Sequence, residues 1–491
     1  MEASHQRSDT KYQQVIAELE LRLEQGVYQA GDKLPSIRQL SGQLGVSKNT
    51  VIRAYQELEA SLKIEAHPRS GYIVTECPRL ETQPIQTPGF VDLLSLSRTV
   101  LQDSLSPALL PTGSAHPNTH FPAITSLYAE IGRHSRYQTH VPSHYLLPPG
   151  DEQLRKQLVT VNQWHGITAS ASEILITHGA QQGISMALQA LTSPGDTVVI
   201  ESPCYFGNLL LLESLGLKVV EIPSSLQSGM DLHRLSQALQ QWPIAAILLN
   251  PSFNNPTGSV MPLAARQQLL AMTQGIPIIE DDVFGDLAYT GRPPTLYSMD
   301  DSHRVIYCNS LSKTLDSRLR IGWLLAGRYQ PQIEKRLLAD NMGSLNLMQS
   351  AVAEFLKTGK YRTHLGKIRR FYHQNQRRFS QLLCTALDRY PWLTGRYHLN
   401  LADGGFLCWL TLPEQADSDM LYQQAHLAGI SILPGTMFST LENYCHCLRL
   451  SYAAFEDNKR WHTGIGQLAE IIAAHLKPGS KMDATQKRMM Q

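Results

Sequence analysis

Between residues 10 and 75 the apolar positions recur at helical spacing and then give way to alternation. Val15, Ile16, Leu19 and Leu23 mark a first helix that stops near Gly26 and Gly31. Leu34-Pro35-Ser36 supplies the next start, with Ser36 as N-cap and Ile37, Leu40 and Leu44 on one face. Gly45-Val46-Ser47 makes a short turn with a second capping hydroxyl, and Val51, Ala54, Tyr55 and Leu58 face inward from a third helix. Two helices joined by so tight a turn predict a helix-turn-helix. Ile64-Glu65-Ala66 and Tyr72-Ile73-Val74, flanking His67-Pro68-Arg69-Ser70-Gly71, predict a two-stranded wing.

The pattern is lost from residue 77 to 94, where Pro78, Pro84 and Pro88 stand among polar residues, and an extended linker is expected there. Beyond it, short apolar runs alternate with helical ones. The strand candidates are 174–177, 197–202, 218–222, 245–250, 276–281, 304–309 and 322–327. Near-continuous apolar strands between helices predict an α/β fold, a mainly parallel sheet covered by helices on both faces. Lys- and Arg-rich helices follow between about 330 and 390, then a smaller α+β lobe from Gly404-Gly405-Phe406 to about Leu468. The organisation expected is a winged helix-turn-helix at 10–76, a linker at 77–94, a large domain at 95–475 with its small lobe at about 350–475, and a polar tail at 476–491.

Composition narrows this picture only in places. The 491 residues suit two or three domains, and 42% hydrophobic content supports a large core. A net charge of +1 gives no global sign of nucleic acid, so any such charge must be local. It is local: from Lys33 to Gln56 there is no Asp or Glu, while Lys33, Arg38, Lys48 and Arg53 are present. Glu18, Glu20 and Glu24 crowd the first helix, which is expected to face away from DNA. The seven cysteines are scattered; alternation along a strand separates His446 from Cys445 and Cys447, and no metal site is expected. The polar stretch 1–12 lacks a signal peptide's apolar core, and no run of about 20 apolar residues is present. A cytoplasmic protein without a membrane partner is the expectation.

Several short motifs lie just past the ends of the strand candidates, where open α/β sheets place their ligands. Singly they are bland. Asn255-Pro256-Thr257-Gly258 serves as a plain turn, Asp281-Asp282 as metal ligands or helix caps, and Gly179-Ala180-Gln181 as an ordinary helix start. In order along one chain they make a constellation. Backbone N–H groups at Gly179-Ala180-Gln181 suit a phosphate at a helix N-terminus. Asp281 suits a protonated pyridine nitrogen, Lys313 a Schiff base, and Ser310, Ser312 and Arg320 further phosphate donors. Arg320 is expected to help depress the Lys313 pKa.

Asp32-Lys33-Leu34-Pro35-Ser36-Ile37-Arg38, Leu44 to Val51 and Gly71-Tyr72-Ile73-Val74 resemble the winged helix-turn-helix of GntR-family regulators. That likeness implies double-stranded DNA as partner, with Ser36, Arg38, Ser47, Lys48, Asn49 and Thr50 at phosphates or base edges and the wing around Arg69 and Gly71 in the minor groove. Arg53 is added from its place one turn beyond Asn49 and Thr50. The series Tyr145, Pro148-x-Gly150, Gly179-Ala180-Gln181, Pro203-Cys204-Tyr205, Asn255 to Gly258, Glu280-Asp281-Asp282, Ser310-x-Ser312-Lys313, Arg320-Ile321-Gly322 and Arg449-Leu450-Ser451 resembles class I aminotransferases of the pyridoxal 5'-phosphate (PLP) fold type I. Together the two likenesses resemble a MocR-type regulator.

The resemblance implies that Lys313 forms the Schiff base with PLP, Asp281 pairs with the ring nitrogen, Asn255 bonds the phenolic oxygen and Tyr205 stacks on the ring. Ala180, Gln181, Ser310, Ser312 and Arg320 hold the phosphate, and Tyr145 reaches in from the partner subunit of a homodimer. Arg449 clamps an amino acid's α-carboxylate, and the effector is expected to be an amino acid or amine. Two departures stand out: Phe284 replaces a tyrosine common in the family, and Ser317-Arg318 stands where Pro-Gly is common. The expected function is a PLP-dependent transcriptional regulator whose effector is sensed at Lys313. A working aminotransferase with an appended DNA-binding head is the alternative, and an inert scaffold is disfavoured by the presence of the lysine, aspartate and arginine.

Overall fold

A computed structural model describes residues 11–24, 27–28, 31–60, 64–67, 71–74, 87–91, 110–138, 140, 145–226, 228–343 and 345–478. The chain divides into two compact units, Met1–Thr82 and Gln83–Gln491.

The first unit holds α1 (Lys11–Glu24), α2 (Ile37–Leu44), α3 (Lys48–Ala60) and the antiparallel pair β1 (Ile64–His67) and β2 (Gly71–Val74). Ser36 caps α2 through a reciprocal bond with Gln39, and Gly45 ends it at φ 64°. That left-handed residue lets the chain turn at once into α3, where Ser47 Oγ accepts from the Thr50 amide at 3.2 Å. The apolar faces meet in one core of Val15, Leu19, Leu40, Val51, Tyr55 and Leu58, closed by Ile64 and Val74 of the wing. Tyr55 buries its ring against Tyr72 at 4.7 Å and donates its hydroxyl to the Pro35 carbonyl at 2.5 Å, so its polar end is satisfied.

In the second unit the strands run β3 (Gly89–Phe90), β4 (Ile174–Thr177), β5 (Thr197–Ser202), β6 (Lys218–Ser225), β7 (Gly229–Met230), β8 (Ile244–Leu249), β9 (Ile278–Asp281), β10 (Val305–Ser310) and β11 (Gly322–Leu325). They lie in the order β3-β6-β5-β8-β9-β10-β11-β4, with β7 against β6. The central pairs from β6 to β10 are parallel, and β11, β4 and β3 close the two ends antiparallel. Helices α4 (Pro122–Gln138), α5 (Glu152–Gln163), α6 (Ala180–Leu191), α7 (Phe206–Ser214), α8 (Leu232–Gln241), α9 (Leu263–Met272), α10 (Gln330–Asn341), α11 (Asn346–Lys357) and α12 (Lys360–Leu387) accompany it. Both faces of the sheet are buried: Val198 and Ile200 of β5 join one apolar cluster, and Val199 between them joins the other. This is why these strands read as unbroken apolar runs. Strand edges shift from those expected by two residues or fewer, except at β6, which runs on to Ser225.

The segment expected as linker needs correction at its end. Gly89–Phe90 pairs with Val219 and Lys218 of β6, and Val91 is buried. A pairing of only two residues carries little signal in so short a run beside Pro88. The lobe sheet likewise begins before Gly404. It comprises β12 (His398–Leu401), β13 (Leu407–Thr411), β14 (Leu433–Pro434) and β15 (Cys447–Ser451) in the antiparallel order β12-β13-β15-β14, with α13 (Ser418–Leu427) and α14 (Lys459–His475). No helix among the described residues is long and apolar enough to cross a membrane.

Candidate functional site

The parallel strands deliver their polar residues to one edge. Asp281 ends β9, Ser310 ends β10 with Ser312 and Lys313 just beyond, and Gly179-Ala180 joins β4 to α6. Arg449 comes from the other side, in the middle of β15, where it pairs with Trp409.

Lys313 is partly buried; its Nζ donates to the Ala115 carbonyl at 2.9 Å and lies 5.6 Å from the centre of the Phe284 ring. Burial lowers its pKa to about 8, and the Arg449 charge adds to the effect more than Arg320 does, while Asp281 opposes both. The expected role of Arg320 is therefore minor. Desolvation comes first because an ammonium is costly in a dry site, and Arg449 stands second because its guanidinium is itself buried.

Asp281 is buried, and burial raises its pKa to about 7, with Asp282 pushing the same way against the Val283 amide and Lys313. The Val283 amide donates to its Oδ1 at 3.3 Å. Asn250 ties the neighbourhood together: its Nδ2 donates to the Asp281 carbonyl and its Oδ1 accepts from the Asn255 amide at 3.0 Å. Asn255 Oδ1 in turn accepts from Arg449 Nη1 at 3.3 Å. Arg449 also donates to the Gly113 carbonyl and lies 5.6 Å over the Phe438 ring, while its buried Nε has no hydrogen-bond partner. Its pKa falls to about 10 through burial.

At the other end of the site, close backbone approach is enforced by two glycines. Gly179 takes φ 82° at the start of α6, and a Cβ there would lie 2.7 Å from Arg320 Nη2. A Cβ on Gly322 would lie 2.4 Å from the Gly179 carbonyl carbon, so neither position accepts a larger residue without displacement. Arg320, itself at φ 53°, donates from Nη2 to the His178 carbonyl at 2.8 Å. Gln181 donates its side-chain amide to the Gly207 carbonyl at 2.7 Å. Ser310 and Ser312 are buried beside each other, the Ser312 amide donating to Ser310 Oγ at 3.4 Å.

The aromatic positions divide. Tyr205 caps the start of α7 half-buried, and Phe284 is buried edge-on to Phe406 at 5.3 Å. Tyr145 is 77% exposed and has Gly343 beside it. Arg318 pairs with Asp316 at 2.6 Å with its side chain 71% exposed, the behaviour of a surface arginine; Tyr128 also donates to Asp316, at 2.8 Å.

On the winged unit, Ser36, Arg38, Ser47, Lys48, Asn49 and Arg53 are exposed and Thr50 is half-buried, its hydroxyl 2.8 Å from Ser47 Oγ. Arg53 lies 4.1 Å over the Tyr12 ring, so its guanidinium packs on α1, and the DNA contact expected of it competes with that stacking. Gly71 opens β2 at φ 98°, and Arg69 lies outside the described residues.

Several supporting residues gave no signal in the sequence. Glu201 is fully buried with its pKa raised to about 7 by that burial; it accepts from the Asn250 amide at 2.8 Å and from Asn254 at 3.1 Å. Arg266 lies 3.7 Å from Glu280 and donates to the Pro251 carbonyl at 2.7 Å, holding the loop that carries Asn255. His116 bonds Ser317 at 2.9 Å beside Lys313. A buried carboxylate or guanidinium in an apolar run is visible in a sequence, but its partner is 14 to 53 residues away in these cases.

Residues 125–462 match the family Aminotransferase class I and II, and residues 11–74 match Bacterial regulatory proteins, gntR family. The chain is 34% identical over 472 residues to the HTH-type transcriptional regulator YjiR of Escherichia coli, covering 94% of this chain and 99% of that protein. It is 28% identical to the probable rhizopine catabolism regulatory protein MocR of Rhizobium meliloti, covering 86% of each. Its second unit resembles LysN, an α-aminoadipate aminotransferase of Thermus thermophilus solved with N-(5'-phosphopyridoxyl)-L-leucine, at TM-score 0.66 and 27% identity over 78% of this chain and 94% of that one.

Proposed function

The chain belongs to the MocR-type subfamily of GntR-family transcriptional regulators, a GntR helix-turn-helix head fused to a class I and II aminotransferase domain, and we propose that it binds PLP at Lys313 and couples an amino-acid or amine effector to operator binding as a homodimer. The observation that carries this reading is the placement of Lys313 just past the end of β10, its Nζ bonded to the Ala115 carbonyl, where burial and the charge of Arg449 lower its pKa to about 8 against the pull of Asp281.

The residues present fit the cofactor. Asp281 is a buried carboxyl whose pKa burial raises to about 7, and a pyridinium N–H would supply the positive partner that offsets that desolvation. When bound, PLP supplies an aldehyde carbon that exchanges one amine for another, with an absorption band that follows the exchange. Lys313 presents an amine that is half unprotonated at about pH 8, well below the ordinary lysine value of 10.5. The α6 N-terminus at Ala180 and Gln181, with Ser310, Ser312 and Arg320, supplies the phosphate donors. Asn255, its backbone amide held by Asn250, would bond the ring's phenolic oxygen, and Tyr205 would stack on the ring. Phe284 brings an apolar ring where a hydroxyl donor is common. Arg449 keeps Nε free for a carboxylate and is fixed through its other nitrogens.

The homodimer is supported by the exposed apolar side chains of Tyr145, Leu147, Leu338, Met342 and Leu345, a stretch that favours burial against a second copy. The head offers Arg38 and Lys48 to phosphates, with Ser36, Ser47, Asn49 and Thr50 around them.

Absorbance and DNA binding test the reading together. The purified protein is expected to show a PLP band that Lys313→Ala abolishes, and an amino acid that shifts the band is expected to change affinity for the protein's own promoter region. A protein with no such band, or one whose band responds while DNA affinity stays fixed, overturns it. Many turnovers per minute between an amino acid and an oxo-acid would favour the enzyme instead.

A further inference from the structure

The residues that would recognise an effector's side chain were not evident from the sequence motifs, and the segment 112–118 supplies one. It crosses the site and is pinned along its length. Thr112 Oγ1 donates to the Ser431 carbonyl, Gly113 and Ala115 turn their carbonyls to Arg449 and Lys313, and the Asn118 amide donates to the Tyr372 hydroxyl at 3.0 Å. His116 follows Ala115 directly; the residue is exposed overall, while its ring is partly shielded where it meets Ser317.

Its ring is oriented by Ser317. Ser317 Oγ donates its one proton to the Ser312 carbonyl at 3.1 Å, so it accepts from His116 at 2.9 Å, which makes Nδ1 the protonated nitrogen. Nε2 is then a lone-pair acceptor on the far edge of the ring, with no protein partner among the described residues. The ring is shielded enough that burial lowers its pKa, aided by the charges of Lys313 and then Arg449 and opposed by Asp316. These facts place a neutral imidazole beside the two cations that define the site. They also give Ser317 a task at a position where the sequence departs from its relatives' common Pro-Gly.

We propose that His116 is a specificity-determining residue that reads the effector's side chain through Nε2 and selects amino acids bearing an uncharged hydrogen-bond donor, a carboxamide or hydroxyl. The chemistry disfavours the neighbouring classes, a carboxylate because it must bring a proton to Nε2. A distal carboxylate meets the Nε2 lone pair with its own, a distal ammonium adds a third cation beside Lys313 and Arg449, and an alkyl chain leaves Nε2 unpaired. The inference rests on the proposed binding of an amino acid at Lys313.

The test uses the full-length, cofactor-loaded protein titrated with asparagine, glutamine, serine, aspartate, glutamate and norvaline, following the cofactor band and, in parallel, affinity for promoter DNA. The better amide is expected to half-saturate at a concentration roughly tenfold below norvaline, the effect of one good neutral hydrogen bond. His116→Leu is expected to bring that ratio to within about twofold, and His116→Gln, which restores an acceptor oxygen, to recover part of it. The ratio within each variant is its own control, so a general loss of affinity does not imitate the result. An amide-to-norvaline ratio in His116→Leu equal to that of the unsubstituted protein overturns the assignment, as does an unsubstituted protein that prefers norvaline or aspartate. If no amino acid shifts the band of the unsubstituted protein, the reading of Lys313 as an effector site falls first and this assignment with it.

Discussion

The residues by which the winged unit is read as DNA-binding stand at its surface, while those of the Lys313 site are buried and bonded to one another. Arg38, Lys48 and Asn49 are exposed and project from helices whose ends are fixed by Ser36, Gly45 and Ser47. Asp281, Asn255 and Arg449 form a chain of bonds through Asn250, and burial shifts the pKa of Asp281, Lys313 and Arg449. A surface reader needs only a rigid platform, because water solvates its charges until DNA displaces it. A buried site must hold its charges against desolvation, and that requires partners from many parts of the chain. The two regions should therefore fail differently.

The largest separation comes from the head's core. Leu40 is fully buried there, and Leu40→Ala should cost about 2–5 kcal/mol of the head's stability. Promoter binding should collapse at 37 °C while the cofactor band and its response to amino acids persist. Loss of both together would show that the units do not fold independently. Next comes Asp281→Asn, which removes a charge-assisted bond to the ring nitrogen, about 1.5–3 kcal/mol, so cofactor affinity should fall roughly 10- to 150-fold. The same change has a pH signature in cofactor-free protein. The folded pKa of Asp281 is about 7 against an ordinary 3.8, so the folded state binds this proton more tightly. Its contribution to stability is present below pH 3.8 and lost as pH rises through 7, and urea titrations of Asp281→Asn should lack that component.

Smaller still is the surface effect. Arg38→Ala and Lys48→Ala should each weaken promoter binding nearly uniformly across sequences and reduce the slope of log K against log salt by about 0.9. An unchanged slope would remove that residue from the phosphate contacts. Arg53→Ala should change the slope less, because Arg53 already lies on Tyr12.

This contrast also explains what could be read along the chain. The head's helices, caps and wing follow from local periodicity and from Ser36, Gly45 and Ser47, each of which acts within a few residues of itself. The strands of the large unit announced themselves as apolar runs because both faces are covered, and Asp281 and Lys313 fall at their ends. What escaped is non-local. Glu201 gains its meaning from Asn250 and Asn254, about fifty residues on, and Gly89–Phe90 becomes a strand only because β6 offers an open edge. The stacking of Arg53 on Tyr12 is non-local in the same way, since Tyr12 belongs to another helix. Arg320, seven positions on, does help to depress the Lys313 pKa as expected, but Arg449, brought across from the small lobe, has the larger effect.

That last point gives the finest test of the buried site. In cofactor-free protein the Lys313 ammonium should titrate near pH 8, not 10.5, so the rate at which added PLP is captured should rise with a midpoint near 8. The sign follows from burial: the folded state releases this proton more readily than the unfolded chain, so Lys313 opposes folding below pH 8 and ceases to do so above 10.5. Arg449→Gln removes a buried cation next to the amine and should move the midpoint upward by less than about one unit, or 1.4 kcal/mol. Arg320→Gln should move it less, because that guanidinium is exposed and screened by solvent. If Arg320→Gln moved the midpoint as far as Arg449→Gln, proximity along the chain would govern the lysine after all, and the distinction between a solvent-screened cation and a buried one would lose its support here.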